Sequence, residues 1–521
     1  MLGLEVVGRN RGPWWIGAVI VVAFAATWSR ADVSLAPLFS DRAVLQREKP
    51  VPVWGRAAPG ERVTVTFAGQ TRATTTGADG RWIVYLDPLP ASDQGADLVA
   101  AGPKNSAVIH DVVVGEVWLY AGSWNSELTV GRTIDAARDT AAARYPLLRY
   151  VRIDQRVADA PAPEVGTGGW QPALPADVGS FAAVAYDFGR AIHEKTGYPV
   201  GLVDCTWSET PLEAWLSPLA LAGNHARDAI EGAWRAAVAR YPELQAAYEK
   251  DLAAWKAAEA VAQKRGARAA ALWARQHPPP VAPVPAVAGG PWSPSGLFDG
   301  MVNPLVPFAV RGALWSPGEG ESGTAADYRA RLTALVLSWR AHFGCPDAPF
   351  FWINLPKVRR PAAGDNSAAW IRDAQTQVLA LPNTGQIITV DLGEPNDIDA
   401  AAEVAHRLAL LAKCRVYDVV GDDSGPVFER AEREGIAMRV HFRNAGNGLL
   451  AHDRPPQALE LAGADRVFYP ATGRINGDTL LVSSPQVKDP VAVRYAWRDA
   501  PDGNLYNGAG LPAAPFRSDD W

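Results

Sequence analysis

Val112-Val113-Val114-Gly115-Glu116-Val117-Trp118-Leu119-Tyr120-Ala121-Gly122-Ser123-Trp124-Asn125 decides how this chain is read. Its apolar runs do not alternate with polar residues, as in a strand buried on both faces of a sheet. Gly122 then opens a turn. From here to about residue 420, strand-like apolar runs alternate with helical stretches. The runs include Val200-Gly201-Leu202-Val203, Gly312-Ala313-Leu314-Trp315, the stretch 350–355, and Ile387-Ile388-Thr389-Val390. Helical periodicity is expected over 181–195, 325–343 and 400–413. Strands alternating with helices predict an α/β domain built on a parallel sheet.

Working outward, residues 32–110 read as a small antiparallel β domain. Val63-Thr64-Val65-Thr66-Phe67 alternates with period two, and Gly77-Ala78-Asp79-Gly80 is a turn cluster before the strand-like Arg81-Trp82-Ile83-Val84-Tyr85-Leu86. The α/β domain is expected over 111–424, interrupted at 217–290 by an Ala-, Glu- and Lys/Arg-rich helical excursion that a stiff Pro-rich segment closes. Alternation returns over 425–521, a second antiparallel β-rich region. No internal repeat of fixed period is visible.

The N-terminus has the three-part layout of an export signal: Arg9 and Arg11, an apolar run from Trp14 to Trp28, then Ser29-Arg30-Ala31. The run is about 15 residues, short of the roughly 20 needed to cross a bilayer. Residues 1–31 are therefore expected to be a signal peptide and the chain to be periplasmic or extracellular. An uncleaved anchor is the alternative; otherwise no stable membrane insertion is expected. At 521 residues, 48% hydrophobic and 20% charged, the composition is that of a multi-domain globular protein. A net charge of -6 argues against a nucleic-acid partner, which requires a basic face. Cys205, Cys345 and Cys414 are odd in number and far apart, which predicts buried free thiols and no metal site. Twenty Trp residues exceed ordinary usage; most are expected in the core, while exposed ones offer stacking faces for ligands such as sugars.

In a parallel α/β sheet, ligands bind at the carboxyl ends of the strands. Four such ends carry unusual residues: Gly122-Ser123-Trp124-Asn125, Trp207-Ser208-Glu209-Thr210, Pro317-Gly318-Glu319-Gly320-Glu321, and Asp397-Ile398-Asp399. With these in view, nearly the whole chain after residue 31 resembles the sialate O-acetylesterase family of secreted carbohydrate esterases. The similar segments, in order, include Leu38-Phe39-Ser40-Asp41, Val44-Leu45-Gln46-Arg47, Val114 to Leu119, Pro199-Val200-Gly201-Leu202, Glu213-Ala214-Trp215 and Trp339-Arg340. The tail, Val493-Arg494-Tyr495-Ala496-Trp497 through Asn504-Leu505-Tyr506-Asn507 to Phe516-Arg517, matches best. The resemblance implies an SGNH-hydrolase-like catalytic domain, a carboxylic ester hydrolase activity, an O-acetylated carbohydrate partner and no cofactor.

The departures fall on the motifs that carry the family's chemistry. Where the family has Gly-Gln-Ser-Asn, this chain keeps Gly122 and Asn125 but places Trp124 at the nucleophile position, beside Ser123. The family's oxyanion loop, Trp-Gly-Gly-Thr, is here Trp207-Ser208-Glu209-Thr210. Its Gln-Gly-Glu-Ser-Asn block keeps Gly318 and Glu319 but has Pro317 and Glu321 at the first and last places. Its Asp-Ile-His-Pro block retains Asp397, the family acid, and has Asp399 at the His position or a deletion there.

Each change removes a catalytic term. A Ser hydroxyl attacks an ester only once a base takes its proton, and His is that base and later the acid. Indole carbon does not attack an ester, and a carboxylate with an ordinary pKa of about 4 is a poor base near neutrality. Oxyanion-hole donors contribute about 2.7–4 kcal/mol each, and ionised Glu209 or Glu321 would repel the oxyanion instead.

Three functions follow. The leading one is a catalytically degenerate family member that binds carbohydrate. The second is an active O-acetylesterase rebuilt on Ser123, for which the next His, His406, lies about two helical turns from Asp399, roughly 10 Å. The third is an acidic site of Asp397, Asp399, Glu319, Glu321 and Glu209 that cleaves glycans or binds them through a metal.

Overall fold

The computed structural model describes residues 32–123, 127–277, 279–280, 282–283, 285–318, 325–358, 366–393, 400–452 and 454–521. Its centre is a seven-stranded ribbon of mixed sheet: β1 (Ser106–Gly122), β2 (Tyr145–Arg152), β3 (Gln171–Ala173), β4 (Val200–Thr206), β5 (Gly312–Ser316), β6 (Phe350–Ile353) and β7 (Thr384–Ile387). The spatial order is β3-β2-β4-β1-β5-β6-β7. All neighbours run parallel except β3, which is antiparallel to β2. The parallel sheet is buried because helices cover both faces. Helix α1 (Ala183–Thr196) and the later Ala400–Val416 pack on one face, with Trp118, Leu202 and Phe351 beneath them. Helices Ala325–His342 and Ser367–Val378 pack on the other, over Val117, Leu119, Trp315 and Trp352. Strand runs without alternation were the correct sign of this sandwich: every residue of β4, β5 and β6 is buried.

β1 holds the two halves of the molecule together. It is 17 residues long and crosses the position at 110/111 where the α/β domain was expected to begin. Its first part pairs antiparallel with Ser92–Ala101, and Val113–Gly115 pairs in parallel with Val44–Gln46. The strands at 51–56, 62–67, 70–75 and 81–86 complete the N-terminal β region. The expected strand at 387–390 is displaced: β7 ends at Ile387, and Ile388 and Val390 instead pack against Ala514 of the C-terminal region. They are apolar to seal that contact.

The insertion forms α2 (Arg227–Gln263) and α3 (Ala267–Gln276). Only Ala262 of α2 is buried, so the hairpin is a surface excursion. The C-terminal region is a seven-stranded sheet from Val427 to Arg517, with Val440, Leu461, Val482, Val493 and Phe516 in its core. Cys205 is buried, but Cys345, in the turn after the helix Ala325–His342, and Cys414, on the helix Ala400–Val416, are only half-buried, contrary to the expectation for all three. Among the described residues no helix is long and apolar enough to cross a membrane.

Candidate functional site at the strand ends

The chain leaves β1 toward β2 on one side and reaches β5 on the other, so the strand order reverses at β1. Such a switch point is where open α/β sheets bind ligands. The carboxyl ends of β4, β1 and β5 lie side by side there, with Thr206 paired to Gly122 and Gly122 to Ser316.

Gly122 has φ 109°, and a Cβ on it would stand 2.1 Å from the Ser316 carbonyl oxygen. Only glycine lets β1 turn this close to β5. Ser123 follows, 1% exposed. Its N–H donates to the Ser316 carbonyl at 2.6 Å, and its Oγ accepts from the Thr210 N–H at 2.9 Å. The Trp207 N–H donates to the Gly122 carbonyl at 3.0 Å. Gly318 closes the third side: a Cβ there would lie 2.6 Å from the Thr210 carbonyl and 3.0 Å from Ser123 Oγ. The three loops are thus tied to one another through backbone groups and the Ser123 hydroxyl.

The loop after β4 is held from below. The Thr210 hydroxyl donates to the Trp207 carbonyl at 2.7 Å and accepts from Trp215 Nε1 at 3.0 Å. Trp215 meets Trp315 edge-on, 5.8 Å between centroids, and Glu213 pairs with Arg331 at 2.6 Å. Glu209 is exposed, with φ 62°. That left-handed conformation is natural to glycine and costly for Glu, and it falls at a position where the resemblance expects Gly.

A polar layer lies one residue deeper. Asp204 of β4 is fully buried and accepts from the Thr206 hydroxyl at 2.6 Å and from the Tyr150 hydroxyl. Burial raises the pKa of Asp204, an effect opposed by Arg152 at 3.8 Å. Burial also raises the Tyr120 hydroxyl, with the Asp204 charge adding to it. Asp204 leaves a single mark in the sequence, a carboxylate inside the apolar run Val200–Thr206.

Of the residues singled out from sequence, Gly122, Ser123, Ser208, Glu209 and Gly318 come together at this face. Trp124, Asn125, Glu319, Glu321, Asp397 and Asp399 lie outside the described residues. His406 is exposed on the helix Ala400–Val416, between buried Ala405 and Arg407. Among the described residues there is no group of three His, Cys, Asp or Glu side chains placed to hold a metal ion.

No family model matches the chain. The structure aligns with the crystal structure of a carbohydrate acetylesterase from Xanthomonas citri over 94% of this chain and 100% of that one, with a TM-score of 0.77 and 31% sequence identity. The fold is therefore that of the α/β carbohydrate-esterase class. Curated sialate O-acetylesterases are also similar: that of Mus musculus is 24% identical, covering 97% of this chain and 98% of its own, and that of Homo sapiens 25% identical, covering 91% and 90%. The chain belongs to the sialate O-acetylesterase family.

Proposed function

We propose that this chain is an exported, carbohydrate-binding member of the family that no longer hydrolyses esters, on an SGNH-hydrolase-like scaffold. The observation that carries this reading is the state of Ser123. It is the hydroxyl nearest in sequence to the nucleophile position, which Trp124 occupies, yet it is 1% exposed and its Oγ accepts the Thr210 N–H. A nucleophile needs an accessible oxygen. Ser123 serves instead as a bolt between two loops. The loop after β4 holds a left-handed backbone at Glu209, where the resemblance expects Gly, and the nucleophile and base positions that it implies carry Trp124 and Asp399. Retained scaffolding with lost chemistry fits a site kept for binding. Export rests on the N-terminal segment alone.

A serine-reactive fluorophosphonate tests this reading. No adduct is expected by intact mass. An adduct that disappears in Ser123→Ala would establish the second reading, an active carbohydrate O-acetylesterase rebuilt on Ser123, which the 31% identity to a carbohydrate acetylesterase favours.

A further inference from the structure

We propose that the cleft between the N-terminal strands and the central domain is a second carbohydrate site, taking a neutral pyranose unit of a polysaccharide. The proposal rests on the family's carbohydrate chemistry but not on the catalytic state of the strand-end site. The cleft encloses about 370 Å³, within the range of small-ligand pockets. None of the strand-end residues lines it.

Trp54 supplies its main apolar surface. It stands on the strand Val51–Arg56, which pairs with Arg81–Leu86 so that Trp54 lies opposite Ile83 and Arg56 opposite Arg81 on one face, while Trp82, opposite Gly55, leaves from the other. Trp54 is half-buried, and its ring is fixed edge-on by Phe39 at 4.7 Å and Phe308 at 6.2 Å. A rigid indole is a stacking platform whose entropy is already spent.

The rim supplies the polar groups. Arg56 Nε meets Glu164 Oε1 at 2.7 Å, with both side chains about two-fifths exposed. Arg81 donates to the Pro163 carbonyl at 3.4 Å, and the Asn303 amide adds a donor and an acceptor from the central domain. The lining holds two guanidinium groups, Arg56 and Arg81, and two carboxylates, Asp79 and Glu164. Their charges balance, which selects a neutral polyhydroxylated ligand over an acidic one. An aromatic face flanked by planar hydrogen-bonding groups matches the C–H face and the hydroxyl belt of a pyranose.

The test is calorimetric titration of the chain lacking residues 1–31 with xylohexaose, cellohexaose and mannohexaose. At least one is expected to bind. Its affinity should fall tenfold or more in Trp54→Ala, and about three- to tenfold in Asn303→Ala, with unchanged circular dichroism. Asn303→Ala, a half-buried rim position, keeps the test valid if the tryptophan variant misfolds. No binding of any hexasaccharide to the unaltered chain would overturn the proposal. So would equal affinity in Trp54→Ala and Asn303→Ala. An O-acetylated monosaccharide titrated into the same variants separates the two sites. Affinity retained in Trp54→Ala supports two sites, whereas parallel loss means one and overturns the proposal. Acetate release, which reports on the strand-end site, is independent of either result.

Discussion

Ser123→Ala separates a structural bolt from a nucleophile. The substitution removes the Oγ that accepts the Thr210 N–H at 2.9 Å. Thr210 is 2% exposed, so water does not readily take the acceptor's place. A buried donor left without its partner costs about 1–3 kcal/mol. The cost should fall on the loop 207–215, because Thr210 also ties Trp207 and Trp215 through its hydroxyl. A multi-domain chain of this size does not unfold in one step, so a local probe is the proper assay. In amide exchange read by mass spectrometry, peptides covering 207–215 should exchange about 5- to 150-fold faster, since each 1.4 kcal/mol of local opening is about tenfold. Peptides covering β6 should not change. Less than about a twofold change in 207–215 would refute the bolt. A loss of acetate release in the same variant would assign Ser123 the catalytic role instead.

Three further perturbations follow from the geometry. Glu209→Gly should raise thermal stability by about 0.5–1 kcal/mol, because it relieves a side chain held at φ 62° at some cost in unfolded-state entropy; a lower melting temperature would show that the Glu209 side chain contributes more than its backbone costs. Glu116 is fully buried and accepts from Arg47 at 2.6 Å, from Arg311 at 2.6 and 2.8 Å and from Tyr417 at 3.1 Å. Glu116→Ala leaves Arg47 and Arg311 only the exposed Glu48 carboxylate, at 2.9 and 3.6 Å, and the denaturant midpoint should fall by the equivalent of about 3–5 kcal/mol. A change below about 1 kcal/mol would show that the Arg–Glu–Arg cluster is solvated. Burial raises the Asp187 pKa to about 6, against the opposing pull of Arg190 at 2.9 Å. A carboxyl with a raised folded-state pKa stabilises most while protonated, so its contribution is complete below about pH 4 and lost as pH rises through about 6. Asp187→Asn should therefore gain about 1–2 kcal/mol over the parent above pH ~7 and nothing near pH ~4. A gain independent of pH would dismiss the buried charge as its cause.

The central sheet was legible because burial on both faces imposes continuous apolar runs, and Val200–Thr206 and Gly312–Ser316 have them. The helices at 183–196, 325–342 and 400–416 were legible from their period. Two things were not. The length of β1 depends on pairing with Ser92–Ala101, a hydrogen-bond register that leaves no compositional mark at position 110/111. Ile388 and Val390 are apolar for a contact with Ala514, which lies more than a hundred residues further along the chain and so beyond any local pattern. At the site, glycine at 122 and 318 could be recognised from motif position, and the close approaches at those residues give the reason. The role of Ser123 could not, because an adjacent hydroxyl reads alike whether it points to solvent or into a neighbouring loop. Trp54, Arg81, Glu164 and Asn303 line one cleft only because the fold brings distant segments together, so the cleft has no signature in linear order.

Loss of ester hydrolysis is tested most directly by acetate release from O-acetylated sialic acid and acetylated xylose, using folded chain lacking residues 1–31 beside its Ser123→Ala variant. Release at the background rate from both proteins is expected. Turnover by the parent that Ser123→Ala abolishes would contradict the loss of catalysis and make Ser123 the nucleophile, and turnover that survives the substitution would contradict it through a different group.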